Sequence, residues 1–215
     1  MVACHEGNLT ISSLLCERGA SLNLQMVDGS TALHLACHEN HLECARLLCD
    51  RGADLNQQTQ RGGTALMIAC EEGHFDMATL LCERGASLNL QKANGVTALY
   101  LASQYNRPEC VRLLCDKGAD SNLQTQLGSA ALMIACENGH LDIATILYER
   151  GASLNLQTTR GATALYWACQ NNHLECSRLL CERGADTLLS FHGQTPFAIA
   201  SSRYGVAALL ETYPH

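Results

Sequence analysis

Asp28-Gly29-Ser30-Thr31-Ala32-Leu33-His34-Leu35-Ala36, then Asn40-His41-Leu42-Glu43, Leu47-Leu48 and Gly52-Ala53-Asp54-Leu55-Asn56, decide the fold, because the chain repeats them. The triplet Thr31-Ala32-Leu33 returns at a constant interval as Thr64-Ala65-Leu66, Thr97-Ala98-Leu99, Ala130-Ala131-Leu132 and Thr163-Ala164-Leu165. Thr195-Pro196-Phe197 arrives one position before the next step. The closing segment keeps the same step, as Arg84-Gly85-Ala86-Ser87-Leu88-Asn89 and Arg150-Gly151-Ala152-Ser153-Leu154-Asn155. A fixed period of this length marks an array of small supersecondary units.

Each unit reads as two short helices and a turn. Thr31 is a good N-cap for an inner helix reaching about His38. After a polar break at Glu39-Asn40, His41 opens an outer helix running to about Asp50. Its residues Leu42, Ala45, Leu47 and Leu48 form an apolar face at helical spacing. Gly52 stops it. The polar link to the next unit carries one glycine per repeat (Gly29, Gly62, Gly95, Gly128, Gly161, Gly193), as the tight tip of a projecting finger requires.

The quoted motif closely resembles the ankyrin repeat, over almost the whole chain. One departure is regular: alanine replaces the family's proline after the threonine everywhere except Pro196, a change the first helical turn accepts at little cost. The resemblance implies an all-α solenoid of stacked helix-turn-helix units with β-turn or hairpin fingers, forming one domain over 1–215. Residues 1–25 read as a truncated first repeat. Full repeats follow over 26–58, 59–91, 92–124, 125–157 and 158–189, and 190–215 reads as an atypical C-terminal capping repeat. A second period, two repeats long, relates Glu43-Cys44, Glu109-Cys110 and Glu175-Cys176 on one hand, and Asp76-Met77 and Asp142-Ile143 on the other. The N-terminus reads as cut from something longer.

Composition narrows the function classes. Hydrophobic residues make up 47% of the chain, too many for a disordered one. No apolar run nears the roughly 20 residues that span a bilayer, and Met1-Val2-Ala3-Cys4-His5-Glu6-Gly7 has neither the basic start nor the apolar stretch of a signal peptide. A formal net charge of -7 argues against general binding of nucleic acid or anionic lipid. A cytoplasmic protein fits, with the nucleus as the alternative.

Thirteen cysteines invite a disulfide or zinc reading. Their columns oppose it. Cys4, Cys37, Cys70, Cys136 and Cys169 stand where the family has alanine. Cys44, Cys110 and Cys176 replace a valine-like residue, and Cys16, Cys49, Cys82, Cys115 and Cys181 a leucine-like one. Such cysteines behave as small buried hydrophobes. The zinc-like run Cys37-His38-Glu39-Asn40-His41 is lost at Ser103-Gln104-Tyr105-Asn106-Arg107. Cys44 and Cys49 are about 140° apart on a helix. Equivalent cysteines in neighbouring repeats sit roughly 10 Å apart, beyond disulfide reach. No metal and no cofactor is expected. His41, His74, His140 and His173 share one column, for which the family resemblance implies a structural role. With no phosphate loop, nucleophile elbow or paired-carboxylate motif, an enzyme is not expected.

Solenoids of this kind bind along their concave face. In the family, contacts come from finger tips and inner-helix ends. Mapped here, the tips are Val27, Asp28 and Ser30, then Gln60 and Arg61, Asn94 and Val96, Leu127 and Arg160. The helix ends are His38 and Glu39, Glu71 and Glu72, Gln104 and Tyr105, Glu137 and Asn138, and Gln170 and Asn171. These columns vary while core columns barely change. Trp167 replaces a leucine and reads as core with an exposed edge. Glu39, Glu71, Glu72 and Glu137 suggest an acidic floor, with Tyr105 as a central anchor. By contrast, Asp50-Arg51, Glu83-Arg84, Asp116-Lys117 and Glu149-Arg150 repeat monotonously and read as solubility features. The expected function is a protein–protein interaction module, a scaffold or adaptor whose partner segment carries basic residues. The alternative is the regulatory portion of a larger channel or kinase. A monomer is expected, or a dimer through the truncated first repeat. The segment through Asp54-Leu55-Asn56 also resembles ankyrin segments modified by an asparaginyl hydroxylase, which marks Asn56.

Overall fold

The computed structural model describes residues 1–200. Thirteen helices follow one another in them: α1 (Val2–His5) and α2 (Leu9–Glu17), α3 (Ala32–His38) and α4 (Leu42–Asp50), α5 (Ala65–Glu72) and α6 (Phe75–Glu83), α7 (Ala98–Gln104) and α8 (Pro108–Asp116), α9 (Ala131–Glu137) and α10 (Leu141–Glu149), α11 (Ala164–Gln170) and α12 (Leu174–Glu182), and α13 (Pro196–Ala200). Odd-numbered helices pack in an inner row and even-numbered ones up to α12 in an outer row, each against its equivalents in adjacent repeats. No strand forms among the described residues, which hold one isolated antiparallel bridge, Phe191 to Gln194. The cap assigned to 190–215 lies mostly outside them.

The helices begin where threonine satisfies free backbone donors. The hydroxyls of Thr64, Thr97 and Thr163 accept from the N–H groups of Met67, Tyr100 and Tyr166 at 3.1–3.3 Å. Thr31 pairs instead with His34. The ring Nδ1 accepts from the Thr31 N–H at 3.2 Å, and Nε2 donates to the Gly63 carbonyl at 3.2 Å. Burial lowers the His34 pKa, which keeps this bridging ring neutral. Between the rows, Leu33, Leu66, Leu99, Leu132 and Leu165 fill the core. Ala36, Ala69, Ala102, Ala135 and Ala168 let the inner helices close on one another.

Three hydrogen-bonded ladders then fasten repeat to repeat. In the fingers, the amide nitrogen of Gln25 donates to its own turn at Gly29 and to Gln58 of the next repeat, both at 3.0 Å. Gln58, Gln91 and Gln124 repeat this, each reaching its own turn glycine and the next glutamine's carbonyl. Behind the outer helices, Asn23, Asn56, Asn89, Asn122 and Asn155 accept from the N–H of Asp54, Ser87, Asp120, Ser153 and Asp186 at 2.8–2.9 Å. At the head of each outer helix, His41, His74, Arg107, His140 and His173 contact a carbonyl of the preceding repeat at 3.0–3.3 Å. The histidine column therefore ties repeats together.

Two expectations need correction. The cysteines are all free, but Cys16, Cys49, Cys82 and Cys115 are only half-buried, whereas Cys181 of the same column is buried. The acid–base pairs on the outer turns are more than solubility features. Arg84 bonds Asp50 of the preceding repeat at 2.7 Å, and Arg150 bonds Asp116 in the same way at 2.7 Å. At the N-terminal end, α2 exposes Leu9, Ile11, Leu14 and Leu15.

Candidate interaction groove

Fingers and inner helices form the two walls of a groove along the stack. The tips divide into residues that hold the fingers and residues left free. Asp28 belongs to the first kind, accepting from both the N–H and the hydroxyl of Ser30 at 2.9 Å. Those bonds lower its carboxyl pKa. Asn94 accepts from the Val96 N–H at 3.3 Å. Ser30 and Val96, expected at the tips, are only 9% exposed. They lie beneath the turn because it folds back over them, so neither is available to a partner. The Gln60 amide donates to the Val27 carbonyl of the previous finger. Val27 and Leu127, in contrast, are 94% and 72% exposed, and Arg61 and Arg160 are exposed beside them. Large apolar groups held in water at the tips of fixed fingers are candidate contacts.

The helix-end wall is less uniformly acidic than its sequence. Glu39 lies 2.8 Å from His38 and 3.7 Å from His5, and the His38 hydrogen bond lowers its pKa. Glu71 pairs with Lys92 of the next finger at 3.6 Å. Its charge, and a hydrogen bond with Tyr105, push the Tyr105 pKa up. Tyr105 is 45% exposed, beside Glu71 at the end of α7. Glu72 is exposed. Asn138 and Asn171 donate to the carbonyls of Gln104 and Glu137 at 3.3 and 2.7 Å, so they also bind the stack. Gln170 is half-buried, and its side-chain oxygen has no hydrogen-bond partner among the described residues.

Tyr100, Trp167 and Phe191, none of them expected in the groove, line a cavity of about 350 Å³ between the fingers and the inner helices. Their signal was a departure from register: Tyr100 stands where His34 and Met67 do, and Trp167 where Leu35 and Leu101 do.

Among the described residues, no three histidine, cysteine or acidic side chains come together as a metal site. Thiols of different columns do meet between neighbouring repeats. Cys4 and Cys44 contact the Ser12 hydroxyl from two sides, at 3.5 and 4.0 Å. Cys70 neighbours Cys110, and Cys136 neighbours Cys176, as free thiols that raise the pKa of the inner-helix member of each pair. Distances between equivalent columns did not foretell these pairs. Asn56, marked as a modification target, spends its side-chain oxygen on the Ser87 N–H, so its role in the stack is a bridging one.

A family model described as ankyrin repeats (3 copies) matches residues 1–92, 52–125, 86–158 and 132–213. Among solved structures, the chain is similar to the ankyrin repeat domain of Bcl-3, described as a unique member of the IkappaB protein family. Identity is 31%, the TM-score 0.87, and the match covers 98% of this chain and 96% of that one. No curated protein matches the chain. The period, the stacked helix pairs and these matches agree, and the chain belongs to the ankyrin-repeat family.

Proposed function

We propose that this stack is a scaffold or adaptor that holds a segment of another protein along its concave groove. Ankyrin repeats are non-enzymatic protein-interaction modules. The observation that supports the groove as the contact face is its exposed side chains. Val27, Leu127 and Tyr105 leave large side chains exposed at the finger tips and inner-helix ends, although Glu71 pairs with Lys92 and Asn138 and Asn171 bond the preceding repeat along the same wall. With repeats roughly 10 Å apart, five of them offer about 50 Å, which an extended segment of roughly 15 residues would follow. Glu72 and Glu137 favour basic residues in it, felt chiefly in the association rate and its salt dependence.

Photo-crosslinking in cells tests this. A photoreactive residue at Tyr105 or Leu127 is expected to capture the same partner protein, and one at Glu83 or Glu149 on the outer turns to capture none of it. Equal capture from the outer turns would place the contact on the convex side and remove the groove reading.

A further inference from the structure

The cavity spanning the fourth to seventh repeats has a lining unlike the rest of the groove. At about 350 Å³ it stands at the small end of ligand pockets, a size suited to one side chain. Ring surface reaches it from three repeats: Tyr100 of α7, Trp167 of α11 and Phe191 of the last finger. The Trp167 and Phe191 rings lie 6.0 Å apart, tilted by 46°. Tyr166, itself buried, backs Phe191 at 4.9 Å. That wall is held by packing. Leu127 adds an exposed aliphatic side chain at the mouth.

Glu137, the last residue of α9, supplies the charge. It is half-buried, and burial raises its carboxyl pKa. Glu39 and Glu71 each have a basic partner at the groove wall. Glu137 has none among the described residues, although Arg160 lines the same cavity.

An unpaired, partly desolvated carboxylate beside three rings suits a cation carried on an apolar stem. Aromatic faces attract a cation, a carboxylate forms a strong charge-assisted bond with an ammonium, and methylene stems pack on apolar surface. We propose that this cavity is a subsite for a lysine side chain of the bound segment. Glu137 accepts from its ammonium, and Tyr100, Trp167 and Phe191 enclose its stem. The inference rests on the groove reading for where the segment lies, but its chemistry is testable without the partner.

Trp167 is the only tryptophan, so its emission reports on this cavity alone. Three probes are titrated into the full chain: Nα-acetyl-lysine amide, its neutral Nε-acetylated form, and Nα-acetyl-glutamate amide. The lysine probe is expected to shift the emission with a Kd on the order of millimolar, as so few atoms allow. The acetylated probe should bind about tenfold more weakly. Glu137→Gln installs the residue that Gln104 and Gln170 place at the same register, so the stack should fold. It is expected to weaken the lysine probe about tenfold. Arg160→Asn, the residue of Asn94 at that register, removes a competing cation and is expected to tighten it about threefold. Indifference to Glu137→Gln, equal binding of the acetylated probe, or preference for the glutamate probe overturns the proposal. So does an unchanged emission with all three, an outcome that leaves crosslinks from Tyr105 intact and so separates this failure from that of the groove reading.

Discussion

Gly95→Ala is expected to lower stability by about 3 kcal/mol or more, while Gly85→Ala costs about 1 kcal/mol. Both glycines have φ of +86°, so both substitutions carry the same left-handed strain. Their surroundings differ. A Cβ on Gly85 meets nothing within 4 Å, whereas one on Gly95 falls 2.7 Å from the Thr125 Cα of the next finger. Backbone cannot swing aside as a side chain does. The fourth and fifth fingers would have to part, stretching the Gln126 N–H bond to the Asn94 carbonyl and the Gln91 bridge to Gln124. Because a solenoid's stability is a sum of repeat and interface terms, the loss should also broaden unfolding by uncoupling the two halves. Urea unfolding of the two variants reads both effects. Equal costs would mean that the fingers do not stay in contact.

Alkaline pH is expected to unfold the protein through its thiols. Burial pushes Cys169 up to about 12, and Cys82 and Cys181 to about 11. Cys37, fully buried, is raised as well. In Cys70 and Cys136 the hydrogen bond to the partner thiol acts with burial in the same direction, while it lowers Cys110 and Cys176. A raised folded pKa means that the native state holds the proton longer than the unfolded chain. The stability tied to it is complete below the unfolded thiol value of 9.0 and is lost as pH rises toward 11 and 12. For Cys169 the rise from an ordinary 9.0 to about 12 corresponds to roughly 4 kcal/mol by the top of that window. Denaturant midpoints measured from pH 8 to 12 should therefore fall steadily. Cys37→Ser with Cys169→Ser should flatten the fall. Ser103 already occupies that column and satisfies its hydroxyl on the Leu99 carbonyl at 2.8 Å, so the double variant should fold. An identical decline in it would put the alkaline loss elsewhere.

The fold was legible because its signal is repeated. Leu33, Leu48 and Gly52 each recur in step, as Thr31 does except at Ala130, and one packing solution serves every copy. The ladders were equally visible as invariant columns, Gln25 through Gln157 and Asn23 through Asn155. Their meaning depended on the distance between adjacent fingers, which no single unit contains. The groove was harder to read. Variation among repeats located its columns, but variation does not say whether Glu71 faces water or Lys92, nor that the turn buries Val96. Trp167 read as core because its register is leucine in Leu35 and Leu101. Only the approach of Tyr100 and Phe191, which belong to other repeats, turns it into the wall of a cavity.

The most direct test of the central claim is a hydrogen-exchange footprint of the chain alone and bound to the protein captured from Leu127. The groove account predicts new protection at the finger tips around 27–28, 60–61, 93–94, 126–127 and 159–160, and at the C-terminal ends of α5, α7 and α9, with α4, α6 and α8 unchanged. Protection confined to α4, α6 and α8, with the finger tips exchanging as in the free chain, would contradict it.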